Sequence, residues 1–244
     1  MLNVSIVIPA KNEAENIQAL LQGICDACAG HAPFEVIVVD DGSTDDTSGA
    51  VLSFMRGHPN VRLLQNRTSG GQSAAVHSGV RAARAPLICT LDGDGQNPPQ
   101  ELPRLLAPLL AADAAAIGIV AGQRVARQDT LSKRLASKMA NSLRGWVLQD
   151  GTRDTGCGLK AFRRDAFLDL PFFNHMHRYL PALFVRDGWS VAHVDVSHQA
   201  RGAGRSNYNN LQRALVGAVD LLGVMWLLRR RKTARPVERQ LDQG

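Results

Sequence analysis

Three clusters of acidic and amide side chains stand out because each follows directly on a short apolar run. Asp92 and Asp94 sit one residue apart after Leu87 to Leu91, with Gln96 two positions on. Two carboxylates and an amide are hard oxygen ligands of the kind Mg²⁺ or Mn²⁺ takes while keeping positions open for phosphate oxygens. Gly93 and Gly95 would let the backbone approach a ligand closely. A lone D-x-D in a loop more often marks a solvated turn. Here, however, Asp40 and Asp41 end a second apolar run, and Pro9, Ala10 and Glu13 follow a third. That recurrence favours a shared ligand rim. Downstream, residues 123–149 carry Arg124, Arg127, Lys133, Arg134, Lys138 and Arg144 against Asp129 alone.

Such residues act together only if the chain brings them to one place. Val4 to Ile8, Glu35 to Val39, Val61 to Leu64 and Leu87 to Leu91 read as strands without a polar face. Between them, Asn16 to Cys28 shows helical spacing through Ile17, Leu20, Leu21 and Ile24. A second helix carries Val51, Leu52 and Met55, with Ser43 or Thr44 as its cap, and a third spans Gln72 to Ala83. This alternation predicts right-handed crossovers and a doubly wound, mostly parallel, Rossmann-like α/β sheet. In such sheets ligands bind beyond the carboxyl ends of the strands, where the three acidic ends would meet. No G-x-G-x-x-G follows the first strand and no G-x-x-x-x-G-K-[ST] occurs, so dinucleotide oxidoreductases and P-loop NTPases lose their main support. Leu131, Leu135, Met139 and Leu143 predict an amphipathic helix whose other face is basic.

Composition narrows the classes further. The 244 residues are 45% hydrophobic and carry a net charge of +6, but six basic and two acidic residues fall between 229 and 244. The first 228 residues hold only +2, and the chain has twelve Phe, Trp and Tyr, so nucleic acid is not the expected partner. Met1 to Ile8 is too short for a signal peptide, and a cytosol-facing protein is expected. Cys25-x-x-Cys28 could be redox-active or half a zinc site, but no matching pair accompanies it, so buried thiols are expected. His31, His58 and His77 have no carboxylate at ligand spacing; His175 and His177 read as loop or packing residues, and His198 is left open.

Read in order, V-V-D-D-G-S-T-D-D-T at 38–47, L-D-G-D-G-Q-N-P-P at 91–99 and D-T-G-C-G-L-K-A-F at 154–162 resemble family-two glycosyltransferases of the GT-A fold. More narrowly they resemble the polyprenyl-phosphate, dolichyl-phosphate mannosyltransferase-like branch. His177 to Leu183 and the later His198, Arg201, Gly204, Ser206 and Tyr208 extend the likeness to about residue 210. The resemblance implies a GT-A catalytic domain over 1–210 that moves a sugar, with inversion, from a GDP- or UDP-sugar to a polyprenyl phosphate, using Mg²⁺ or Mn²⁺. It implies that Pro9, Ala10 and Glu13 line the base and ribose pocket and that Asp40 and Asp41 hold those groups. Asp92, Asp94 and Gln96 would form the metal and diphosphate site, although Gly93 and Gly95 depart from the commoner D-A-D-x-Q. Arg124 and Arg134 would hold the acceptor phosphate, while Arg201 and Ser206 would lie in a loop closing over the donor. A phosphate monoester, largely dianionic at neutral pH, needs cationic positioning more than a base. The same fold with a saccharide or other soluble acceptor, or as a catalytically silent nucleotide-sugar-binding subunit, is the alternative.

The chain's end bears on location. Ala214 to Leu228 is apolar except Asp220 and precedes Arg229-Arg230-Arg231-Lys232. As a helix of roughly 22 Å it falls short of a hydrocarbon core of about 30 Å. Residues 211–232 are therefore expected to lie on the cytoplasmic face of a membrane, or to pack on the core or on a second subunit of a homo-oligomer. Residues 233–244 read as a basic, flexible tail.

Overall fold

Runs of β-branched residues without a polar face must be covered on both sides, and here they build the middle of a seven-stranded sheet. The computed structural model describes residues 3–31, 33–125, 144–145, 147–197, 199 and 210–230, with only the backbone of 210–215. β1 (Val4–Ala10), β2 (Phe34–Asp40), β3 (Val61–Gln65) and β4 (Leu87–Thr90) pair in parallel, and Ile6 lies opposite both Val36 and Cys89. β5 (Ile117–Arg124), β6 (Lys160–Arg163) and β7 (Ser190–Val196) complete the order β3-β2-β1-β4-β6-β5-β7. β6 runs antiparallel to β4 and β5, whereas β7 returns parallel to β5. The sheet is thus mostly parallel, as expected. Its one reversed strand is four residues long and basic at both ends, too short a signal to read from the chain.

The pleat sends alternate residues to two cores. Ile6 and Ile8 join the layer formed by α1 (Ile17–Cys28), α2 (Thr47–Met55) and the later helix α4 (Leu102–Leu110). Val7 joins the layer of α3 (Gln72–Ala82), α5 (Arg164–Leu168), α6 (Leu180–Arg186) and α7 (Asn210–Leu228). α1 buries the predicted stripe Ile17, Leu20, Leu21 and Ile24. The cap predicted for α2 is wrong: Ser43 Oγ accepts the Asn12 N–H at 2.9 Å, and the Thr44 N–H donates to Asn12 Oδ1 at 2.8 Å. Both residues tie loops together, and α2 begins only at Thr47. All four cysteines are free, and burial pushes the Cys28 thiol up to about 11, which leaves Cys25-x-x-Cys28 as packing.

α7 is docked on the second core through Val224, with Leu221 and Leu228 beside it. Asp220, the one charge in its apolar run, meets His175 Nδ1 at 2.9 Å. The Tyr179 hydroxyl donates to the Gly217 carbonyl at 3.3 Å. Arg186 donates to the carbonyls of Leu227 and Arg230 at 2.9 and 2.8 Å, satisfying the helix's C-terminal end. The opposite side leaves Val219, Leu222 and Trp226 exposed. Among the described residues no helix is long and apolar enough to cross a membrane.

At the sheet end remote from the acidic loops, buried Glu35 accepts from Ser5 Oγ, Arg62 Nη1 and the Arg84 N–H, each at 2.7 Å. Burial alone would raise its carboxyl, but these three donors outweigh it and hold it below its ordinary 4.5. A depressed carboxyl stabilises the fold above its unfolded value, and that contribution is lost as pH falls through the folded value. Glu35→Gln should therefore cost about 1.5–3 kcal/mol at pH 7 in chemical denaturation. The gap to wild type should narrow below pH 4.5; a pH-independent gap would show that charge is not what Glu35 contributes.

Candidate active site

The parallel pairing of β2, β1 and β4 sets their carboxyl ends side by side, so the three acidic loops share one rim. Short hydrogen bonds lace the first two together. The Asp41 N–H reaches the Ala10 carbonyl at 2.8 Å, the Glu13 N–H reaches Thr47 Oγ1 at 2.9 Å, and the Ala14 N–H reaches Asp45 Oδ2 at 3.1 Å. Glu13 itself accepts from Asn16 Nδ2 at 2.7 Å. Asp40 accepts the Ser43 N–H at 2.9 Å and the Ser48 hydroxyl. Pro9 and Ala10 close β1 opposite Val39 and Asp40.

Asp41 is committed inside the chain. Its two oxygens accept from Asn66 Nδ2, Ser69 Oγ, and the N–H groups of Gly70 and Gly71, all at 2.7–2.8 Å. Burial would raise this carboxyl, but the four donors outweigh it and keep it below the usual aspartate range. Asp41 thereby fixes residues 66–71, which lead straight into α3. The first residue of α3, Gln72, then donates from Nε2 to Asp92 Oδ1 at 2.7 Å. One carboxylate positions the loop that reaches the next.

Asp92 and Asp94 are both half-buried. Asn97 Nδ2 donates to Asp92 Oδ2 at 3.4 Å, and Asp94 Oδ1 accepts the Gln96 N–H at 3.1 Å. Burial and the neighbouring Asp94 push the Asp92 carboxyl up; Lys160, Arg124 and Asn97 pull against them. The two loop glycines also serve the fold. A Cβ on Gly93 would stand 3.2 Å from the Pro9 carbonyl, and Gly95 has φ +71°, a left-handed turn that glycine enters freely. The Gln96 carbonyl accepts the Gln199 N–H at 3.0 Å, and Glu101 takes both the N–H and hydroxyl of Ser197, so the loop is braced against the end of β7.

The cations opposite come from β5 and β6. Arg124, at the end of β5, grips Asp154 with Nε at 2.5 Å and Nη2 at 2.9 Å, a two-pronged pair only 13–15% exposed. Asp154 is held in turn because Gln123 Oε1 accepts the N–H groups of residues 153 and 154 at 2.8 and 3.0 Å. Arg144 is likewise engaged by buried Asp150, so neither of these arginines lies on an open basic face. Lys160 is 4% exposed, and its ammonium donates to the Cys157 carbonyl. Burial pulls its pKa down, while Cys157, Asp92 and Asp154 act in the other direction.

Pro9, Ala10, Glu13, Asp40, Asp41, Asp92, Asp94, Gln96 and Arg124 are thus brought to one end of the sheet. Arg134, Arg201, Ser206, His198 and the amphipathic helix predicted through Leu131, Leu135, Met139 and Leu143 lie outside the described residues. Gln72, Asp154 and Lys160 received no role from the sequence. The last two lie in the stretch at 154–162, but a single aspartate and lysine carry no signal until β6 folds them under Asp92. His177, read as a packing residue, meets Ser73 Oγ at 2.7 Å, and burial followed by the nearby Lys160 lowers it to about 3.

An α/β sheet whose carboxyl ends gather acids, with one antiparallel strand beside the central pair, defines a GT-A-type fold. The chain belongs to glycosyl transferase family 2, whose profile matches residues 5–170. Dodecaprenyl-phosphate galacturonate synthase of Rhizobium johnstonii is 32% identical over 96% of this chain and 69% of its own length. Undecaprenyl-phosphate 4-deoxy-4-formamido-L-arabinose transferases of Pectobacterium carotovorum and Sodalis glossinidius are 35% and 36% identical over 86% and 84% of the chain. The chain spans 64% and 63% of those two relatives. Among solved structures, glucosyl-3-phosphoglycerate synthase from Mycobacterium tuberculosis with Mn²⁺, UDP and glucosyl-3-phosphoglycerate superposes with a TM-score of 0.70 at 19% identity, covering 99% of this chain and 85% of that one. The same enzyme with Mg²⁺ and UDP gives 0.69, covering 93% and 79%.

A Cβ added to Gly158 would lie 2.3 Å from Asp92 Oδ2. Gly158→Ala should leave the protein folded but cost it about 1–3 kcal/mol, because the added methyl must push the Asp92 side chain aside. Chemical denaturation checks this; unchanged stability would show that the turn yields without moving Asp92.

Proposed function

We propose that this chain transfers a sugar from a GDP- or UDP-sugar to a polyprenyl phosphate. The observation that carries the reading is the pair Asp92 and Asp94 at the end of β4, with the cations Lys160 and Arg124 behind it. The names of the similar polyprenyl-phosphate transferases support the acceptor class.

Asp92, Asp94 and Gln96 suit Mg²⁺ or Mn²⁺. Among the described residues no group of three His, Cys, Asp or Glu forms a metal cage, and these ions usually take one or two carboxylates plus substrate phosphates. When bound, such an ion supplies Lewis-acid stabilisation of the departing nucleotide diphosphate. Pro9, Ala10, Glu13 and Asp40 line the base and ribose pocket, and Asp41 shapes it by holding residues 66–71. The acceptor phosphate oxygen attacks the anomeric carbon directly while the bond to the diphosphate breaks, which inverts the sugar. Arg134 positions that phosphate, Arg124 with Asp154 orders the acid cluster beside it, and Arg201 and Ser206 close over the donor.

α7 supports work at a membrane surface. Val219, Leu222 and Trp226 are 69%, 66% and 58% exposed on the side away from Val224, and Arg230 stacks over Trp226 at 5.5 Å. An apolar stripe ending in arginines suits an anionic interface, where each basic residue adds roughly 1 kcal/mol.

Asp94→Ala should abolish transfer to undecaprenyl phosphate and leave the melting temperature nearly unchanged, because Asp94 sits on the rim rather than in the core. Activity above about a tenth of wild type would contradict its role.

Deleting α7 would uncover Val224 and its neighbours, so membrane binding is better tested at the exposed side. Leu222→Gln with Trp226→Gln should weaken binding to anionic vesicles at least about tenfold, with nucleotide binding and stability retained. Equal binding by the variant, or a compact dimer that dissociates on substitution, would assign this face to a protein partner instead.

A further inference from the structure

We infer that Lys160 is a positioning residue whose buried charge makes the acidic rim accept a metal together with a diphosphate, rather than the metal alone. The inference rests on the nucleotide-sugar reading above. Lys160 stands at the centre of the sheet, opposite Thr90 of β4 and Ala121 of β5, directly under the acidic loop. Its ammonium acts on Asp92, Asp154 and Arg124 together. The hydrogen bond to the Cys157 carbonyl holds the turn that presses Gly158 against Asp92. Thr90 Oγ1 grips the other side of that turn, donating to the Gly158 carbonyl at 2.8 Å.

The charge balance gives Lys160 a consequence beyond packing. Asp92, Asp94 and Asp154 stand against Arg124 and Lys160, a net charge of minus one. A divalent cation makes the cluster plus one, which attracts a diphosphate. Without Lys160 the cluster is minus two: a divalent cation only neutralises it, and nothing remains for the diphosphate. Because the ammonium is buried, water screens its field little, and a charge several ångströms away changes affinity by about tenfold or more. Gln72, Asn97 and Arg124 still hold Asp92 when Lys160 is neutralised.

The test compares Mn²⁺ alone with UDP at saturating Mn²⁺, by titration calorimetry, in wild type, Lys160→Met, Lys160→Gln and Lys160→Arg. Both neutral variants should bind Mn²⁺ at least as tightly as wild type but bind UDP about tenfold more weakly. Lys160→Arg should recover most of the UDP affinity. Lys160→Gln keeps a donor for the Cys157 carbonyl, so it carries the same readout if the methionine variant does not fold. Parallel loss of Mn²⁺ and UDP, or full UDP affinity in either neutral variant, would overturn the inference. Wild type that binds neither UDP nor GDP in the presence of Mn²⁺ would instead overturn the nucleotide-sugar reading.

Discussion

A carboxylate set at the end of a buried strand stays ionised only if cations are buried with it, and this requirement organises the molecule. Asp92 lies between Gln72 on one side and the β6 turn on the other, with Lys160 and Arg124 supplying positive charge from beneath. Arg124 ends a strand that runs with β4, but Lys160 opens its strand and reaches this end only because β6 is reversed. Inserting β6 in reverse between β4 and β5 brings Lys160 to the same level as Thr90 and aims the preceding turn, with Asp154 and Gly158, back toward the acids. The reversed strand therefore serves the electrostatics of the rim. Isolated buried charges are costly; here Arg124 is paired with Asp154, Asp92 accepts from Gln72 and Asn97, and Lys160 donates to the Cys157 carbonyl.

The loops of the rim follow the same logic. Carboxylates that might have been solvated are spent on backbone N–H groups: Asp40 on Ser43, Asp45 on Ala14 and Thr47, and Asp41 on Gly70 and Gly71. Charge-assisted bonds of this kind are shorter and stronger than neutral ones, and they fix loops that carry little apolar surface. A pocket assembled this way is pre-organised before any ligand arrives, which limits the ordering cost of binding.

α7 joins two surfaces with different demands. Toward the body it presents Val224 and Asp220, met by the second core and by His175; outward it presents Leu222 and Trp226. Arg186 ends the helix by taking the carbonyls of Leu227 and Arg230, so its outward stripe is held at a fixed orientation to the sheet. An exposed stripe fixed in this way would hold the rim at a constant distance from whatever surface covers it.

Local pattern alone determined much of this protein. β1 to β4, α1 and α3 were legible because each apolar run or stripe has a period set by its own backbone, whatever surrounds it. The convergence of Pro9, Asp40 and Asp92 followed from the parallel pairing those runs require. Three features were decided only by tertiary structure. Ser43 and Thr44 looked like helix caps, yet Asn12, thirty-odd residues earlier, offered them better partners. Asp220 looked like an obstacle to burial until His175 was folded opposite it. Lys160 had no distinguishing neighbour in the chain, because Asp92, the carboxylate that favours its charge, lies 68 positions away and meets it only across the sheet. Period is a property of consecutive residues, but charge compensation is a property of distance in space, and only the packed fold fixes that distance.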